Sequence, residues 1–501
     1  MSDRSNSSRP LPGRPSLRYL KIEAKQRLAA GEFTSLHEAQ LAIAREHGFA
    51  SWTALKTAIE TTTGQPSHAL EQVRWLAERF ADADGPAWPA PDTAELAEHF
   101  DDRYLSLVPA DTLISTLRPV AAQLRGDLAV GSATADSVRA QLTDLRVEAV
   151  TEPAPPHRLT RLRIYRLGAR VSDPRVAAPA TRVFGAVADN ARAVAEESVA
   201  ELGLPGLVLA GATRPELAPW MVARGWADLE HPENKLDQQR FPAYGVSKPV
   251  TAIAVLRLVA EGSVGLDEPA NAFLRAIRLA EDDVTVRELL VHTAGVAGPA
   301  EMFADAVPEN PLGVTVLCDR RRGEFVPGNG GYAVLGQLIA DVAGESFTDA
   351  VTRLVLAPLR MRDSGFPARW PETGAITGYQ LTDDGRFEPA PRQVCTVPAA
   401  GGLWSTATDL VRFGLEWASL LPGNLGAEAV RPQVAQDTPD AAVGFGWLVS
   451  AGRGIYGHPG TGPGAGVSLI VRPETGTVTV AATNRRVPVE PVNARLIRAI
   501  S

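Results

Sequence analysis

Lysine is scarce in this chain: among 501 residues only Lys21, Lys25, Lys56, Lys235 and Lys248 carry an ammonium group, and the other basic residues are arginines. Lys248 sits in Phe241-Pro242-Ala243-Tyr244-Gly245-Val246-Ser247-Lys248-Pro249-Val250-Thr251-Ala252. That segment runs into an apolar periodic stretch (Ile253, Leu256, Val259), which predicts a buried helix with Pro249 tolerated in its first turn. At 3.6 residues per turn, positions 245 and 248 face the same way, the spacing a nucleophile and an activating amine require. The first of the two is Gly245, which has no side chain to attack with. Ser247 lies about 200° around the helix from Gly245 and is expected to serve helix packing.

The segment resembles the Ser-x-x-Lys helix of serine β-lactamases, penicillin-binding proteins and related esterases. Its continuation, Leu258-Val259-Ala260-Glu261-Gly262-Ser263-Val264-Gly265-Leu266-Asp267, is similar as well. Further stretches match in order: Leu289-Leu290-Val291-His292-Thr293-Ala294-Gly295, where the resemblance makes the histidine structural, then Leu359 to Phe366, and Ala400 to Leu410. The resemblance spans about 184–501. It implies an α+β fold in which an antiparallel sheet flanked by helices is joined to an all-α subdomain.

In that family the position of Gly245 carries the acylated serine. The second motif, Tyr-x-Asn or Ser-x-Asn, corresponds here to Pro327-Gly328-Asn329, which reads equally as a tight turn. The third, Lys-Thr-Gly or His-x-Gly, corresponds to His458-Pro459-Gly460 before Thr461. Serine has become glycine and tyrosine proline, while Lys248, Asn329 and His458 remain. The resemblance also implies an oxyanion hole made of the backbone N–H groups of Gly245 and Thr461, donors worth roughly 3 kcal/mol each when preorganised. Tyr244 and Gly460 are expected against the substrate. Tyr244 and Tyr332 are candidate general acids or amphipathic core residues.

The rest of the chain reads as appendages to that domain. Residues 1–65 form an N-terminal helical module with a Ser-, Arg- and Pro-rich start, helical patterns from Ser16 and Leu36, and a third at Ser51. It resembles a helical module found ahead of varied bacterial domains. Its charge is slightly positive, nine Lys/Arg against six Asp/Glu through Gln65, which reads as a solvated appendage. Residues 70–182 predict a small α+β domain, helices followed by extended runs at Ser137–Ala149 and Arg158–Leu167; it weakly resembles a cystatin-like domain. His99, beside an apolar face, is expected to be structural.

Composition narrows the function classes. A formal charge of −8 argues against nucleic acid as a partner. Cys318 and Cys395 make neither a disulfide framework nor a metal-ligand pattern. No run approaches the ~20 apolar residues of a membrane span, and the N-terminus lacks a secretory pattern, so the expected setting is cytoplasmic. Metals and cofactors are not expected; a small-molecule ligand is.

Three readings follow. The chain processes a small amide, ester or lactam-like molecule, as in specialised metabolism, by hydrolysis, acyl transfer, cyclisation or isomerisation without a serine acyl-enzyme. Alternatively it is an inactive ligand-binding or scaffold protein, or an ordinary serine hydrolase bearing a Ser-to-Gly change.

Overall fold

The computed structural model describes residues 67–500 apart from short gaps, the longest at 309–314 and 317–321, and ahead of them Leu36–Glu46 and a few single positions. Two compact units divide the chain, Met1–Leu167 and Gly168–Ser501. In the first, helix α1 covers Leu36–Glu46. The helices expected from Ser16 and at Ser51 fall outside the described residues, as does Cys318.

Helix α2, His68–Phe80, is capped by Ser67, whose hydroxyl accepts from Leu70 N at 3.3 Å. Its buried residues Ala69, Val73, Leu76, Ala77 and Phe80 recur at helical spacing. They share one core with Leu145, Val147 and Ala149 of a four-stranded antiparallel sheet. Its strands, in order, are β1 (Leu128–Ala133), β2 (Ser137–Leu142), β3 (Leu145–Thr151) and β4 (Leu159–Arg166). His99 stacks on Trp75 at 3.5 Å and its Nδ1 meets Gln72 Oε1 at 2.8 Å, a packed histidine that burial keeps neutral.

The second unit is built on a nine-stranded sheet in which every pairing is antiparallel. In chain order the strands are β5 (Thr181–Phe184), β6 (Gly206–Thr213), β7 (Trp220–Gly225), β8 (Val434–Ala435), β9 (Ala441–Val443), β10 (Leu448–Ser450), β11 (Ile455–Gly462), β12 (Ala465–Arg472) and β13 (Thr477–Thr483). They lie side by side as β8-β9-β10-β11-β12-β13-β6-β7-β5. Because β5 pairs with β7, residues 181–184 belong to this unit. The junction therefore lies upstream of the 182–184 boundary suggested by residue pattern, where the first strand is too short and polar to announce its sheet.

Both faces of this sheet are covered, which is why β6 reads as one apolar run instead of alternating. Leu207 and Leu209 pack with Ala191, Val194, Val492 and Leu496, from helices α3 (Asp189–Leu202) and α7 (Glu490–Ala499). Val208, Ala210 and Ala212 face the opposite way. There they join the core formed by α4 (Ser247–Ala260), α5 (Gly330–Ala343) and α6 (Ala407–Glu416). Helix α4 is apolar on every side because it runs through this core, with 11 of its residues buried. Asp409 fastens the far side: its carboxylate accepts from Asp363 N, Ser364 Oγ and Arg412 Nη1 at 2.9–3.0 Å.

Candidate active site

A 3₁₀ turn, Tyr244–Val246, delivers the chain into α4. Tyr244 has φ +45°, a left-handed conformation that costs a side-chain-bearing residue about 1 kcal/mol. Two contacts hold it there: its hydroxyl donates to Pro463 O at 2.6 Å, and its ring packs edge-on against Phe303 at 5.7 Å. Only 4% of Tyr244 is exposed, and burial raises its phenol well above the usual range. The hydroxyl expected against a substrate is thus engaged with the chain itself. Tyr332 is likewise buried and donates to Leu290 O at 2.9 Å. Ser247, fully buried, accepts from Leu403 N at 3.0 Å and docks α4 on the turn at 398–403.

Lys248 is 8% exposed. Its amine donates to Asn329 Oδ1 at 2.7 Å and to Ala400 O at 3.4 Å, and lies 5.8 Å from the centroid of the Tyr332 ring. Asn329 stands at the N-terminus of α5 without capping it; its amide instead donates to Met302 Sδ at 3.4 Å. Burial lowers the Lys248 amine to about 8. Pro327 and Gly328 are exposed and lead into Asn329 as irregular backbone, without the tight turn that a Pro-Gly pair favours.

Strand β11 closes against the 3₁₀ turn. A Cβ built on Gly245 would stand 2.3 Å from Pro459 O and 2.8 Å from His458 Cε1. One built on Gly460 would stand 2.1 Å from Ala243 O and 2.7 Å from Gly245 N. Two glycines therefore allow the backbones of strand and turn to meet. His458 Nδ1 lies 2.6 Å from Pro459 O; since a carbonyl can only accept, Nδ1 carries the proton and Nε2 keeps a lone pair. Burial first, and the nearby Lys248 charge second, push this imidazole down to about 3. Thr461 follows on the same strand, exposed, and pairs with Gly466 across the ladder.

Gly245, Lys248, Asn329, His458 and Gly460 thus lie in one cluster. Sequence reasoning left two members out. His292, left-handed at φ +62° and 5.1 Å from the Tyr332 ring, is held neutral by burial first and by the Lys248 charge second. Cys395, buried, is coupled electrostatically to Lys248. It reaches the cluster through the turn at 398–401, a Cβ on Gly401 meeting its Sγ at 2.8 Å. His292 falls in a stretch read as structural, and no residue near Cys395 marks it in sequence.

Known proteins share this architecture. An octameric penicillin-binding protein homologue from Pyrococcus abyssi superposes with a TM-score of 0.54 at 21% identity, covering 62% of this chain and 76% of that one. D-amino acid amidase from Ochrobactrum anthropi SV3 gives 0.52 at 22%, over 62% and 96%. These likenesses establish the β-lactamase/transpeptidase fold. In sequence, the Beta-lactamase family model matches residues 191–501, and the chain belongs to that family. Esterase EstB from Burkholderia gladioli is 30% identical over 329 residues, covering 54% of this chain and 82% of that protein. Penicillin-binding protein 4 from Amycolatopsis lactamdurans is 28% identical over 286 residues, 49% and 72%. Among the described residues no helix is long and apolar enough to cross a membrane.

Proposed function

We propose that this chain is a hydrolase-type enzyme acting on a small carbonyl compound (an ester, amide or lactam) without a serine acyl-enzyme. The observation carrying this reading is the buried Lys248 amine, held 2.7 Å from Asn329 Oδ1 and close enough to His458 for its charge to depress the imidazole. An amine with a pKa of about 8 is partly unprotonated near neutral pH and can take a proton from water. His458 Nε2 is a second acceptor. The N–H groups of Gly245 and Thr461 are the donors that would receive the developing oxyanion, and neither depends on a side chain at 245. The ester-hydrolysing name of the Burkholderia relative points to the same class.

The test is steady-state hydrolysis of p-nitrophenyl acetate, an anilide and nitrocefin by the full chain and by Lys248→Ala and Asn329→Ala. Turnover reduced about 100-fold in Lys248→Ala is the expected result. Turnover indifferent to both substitutions would sink the reading. A second reading, ligand binding without turnover, is favoured by the closure of β11 over Gly245. It predicts a ligand that binds with no product detectable by mass spectrometry.

A further inference from the structure

The second unit also holds a cavity of about 310 Å³ that none of the residues of the Lys248 cluster lines. One wall is the face of α5 on which Ala333, Gln337 and Ala340 recur at helical spacing; another is Pro398 and Ala399 of the turn at 398–401. Phe347, packed edge-on against Phe366 at 5.1 Å, adds a fixed aromatic wall. Among the described residues no charged side chain lines this space. Two polar side chains do. Ser346 Oγ is engaged, donating to Asp349 Oδ2 at 2.6 Å and accepting from Asp349 N at 3.1 Å. Gln337 donates through Nε2 to Asp341 Oδ1 at 2.8 Å, and its Oε1 meets no donor among the described residues.

We propose that this cavity binds a small uncharged aromatic compound bearing one hydroxyl or N–H, and that its occupancy braces the turn that meets Lys248. Size sets the scale: a cavity of about 150 Å³ already takes benzene, so this one has room for two fused rings. An ionised occupant would lose its hydration and gain no partner, so the lining selects an uncharged one. The Phe347 ring favours an aromatic body, and Gln337 Oε1 accepts from its single donor. With Ser346 engaged and no other nucleophile, acid or base in the lining, the compound is held and not transformed. The link to the Lys248 cluster is the turn itself: Ala399 O accepts from Thr251 Oγ1 at 2.7 Å and Ala400 O from Lys248 Nζ at 3.4 Å, both donors lying on α4. An occupant resting on Pro398 and Ala399 bears on the same backbone. This site does not depend on the hydrolytic reading, because neither Lys248 nor Asn329 nor His458 lines it.

The experiment titrates the full chain with 2-naphthol at pH 7 by calorimetry, with naphthalene-2-sulfonate as the charged counterpart. The expected Kd for 2-naphthol is below about 100 µM, and the sulfonate should bind at least about tenfold more weakly. Ala340→Leu fills the cavity with a good helix former and should weaken 2-naphthol at least about tenfold. Gln337→Leu keeps the cavity and removes the acceptor, so 2-naphthol should weaken about fivefold while naphthalene binds as before; it decides the matter if Ala340→Leu does not fold. Hydrogen exchange read by mass spectrometry tests the link. The N–H groups of Ala400 and Gly401 donate to Val397 O and that of Gly402 to Pro398 O, so with 2-naphthol at about ten times its Kd their exchange should slow about tenfold. No saturable binding up to about 1 mM, equal binding of the sulfonate, or 2-naphthol affinity unchanged in either folded variant would overturn the site. Binding that leaves exchange at 400–402 unaltered would overturn its link to the turn.

Discussion

The carbonyl oxygen of Pro459 lies 2.3 Å from the point where a Cβ on Gly245 would be, and the His458 ring crowds the same point. The place of the missing side chain is occupied by backbone and a ring held by its own hydrogen bond, so it cannot be refilled by substitution alone.

Gly245→Ser should therefore fail to create ester or nitrocefin hydrolysis and should destabilise the fold by about 1–3 kcal/mol, the usual cost of overpacking. Urea unfolding beside a nitrocefin assay checks both. A burst of acylated enzyme on the new serine would contradict it.

The buried amine makes stability depend on alkaline pH. Folding lowers Lys248 from 10.5 to about 8, so between those values the unfolded chain binds the extra proton and stability rises with pH. Below about pH 8 the folded state carries the full penalty, about 3 kcal/mol. Lys248→Met should be more stable than the parent at pH 7, the difference shrinking towards pH 10.5. Denaturant midpoints at pH 7, 9 and 10.5 decide it; a less stable Met variant at pH 7 would refute the account.

His458 acts at the acidic end. Its folded pKa, about 3, is below the ordinary 6.5, so the unfolded chain takes up a proton first and stability falls as pH drops from 6.5 towards 3. In His458→Asn that part of the acid sensitivity should disappear. Thermal melts at pH 7, 5.5 and 4.5 would show the two proteins converging as pH falls.

Asp409 is 2% exposed and bonded to three donors from Asp363, Ser364 and Arg412. Asp409→Ala strands these partners and should cost about 3 kcal/mol. Asp409→Asn, which keeps an acceptor oxygen, should cost less; equal losses would show that packing and not hydrogen bonding dominates.

Cys395 is buried with its Sγ 3.5 Å from Val397 O, and burial raises its thiol above the ordinary value. Iodoacetamide should leave the Cys395 peptide unmodified in the folded chain and alkylate it fully in urea. Modification under native conditions at the unfolded rate would mean that the turn at 398–401 opens.

Much of this was legible in the residues themselves. The apolar run after Lys248 announces a buried helix, the order of the stretches around 248, 292, 363, 404 and 458 announces the family, and the letter at 245 shows that no hydroxyl stands there. These are properties of one segment at a time, set by local periodicity and side-chain chemistry. Only the tertiary structure decided what surrounds Gly245, that the Tyr244 and Tyr332 hydroxyls are bonded to backbone, and that His292 and Cys395 border the lysine. Each of those depends on segments distant in sequence packing into one small volume, and the pattern of a helix records which of its faces is buried but not which atoms will fill the space against it.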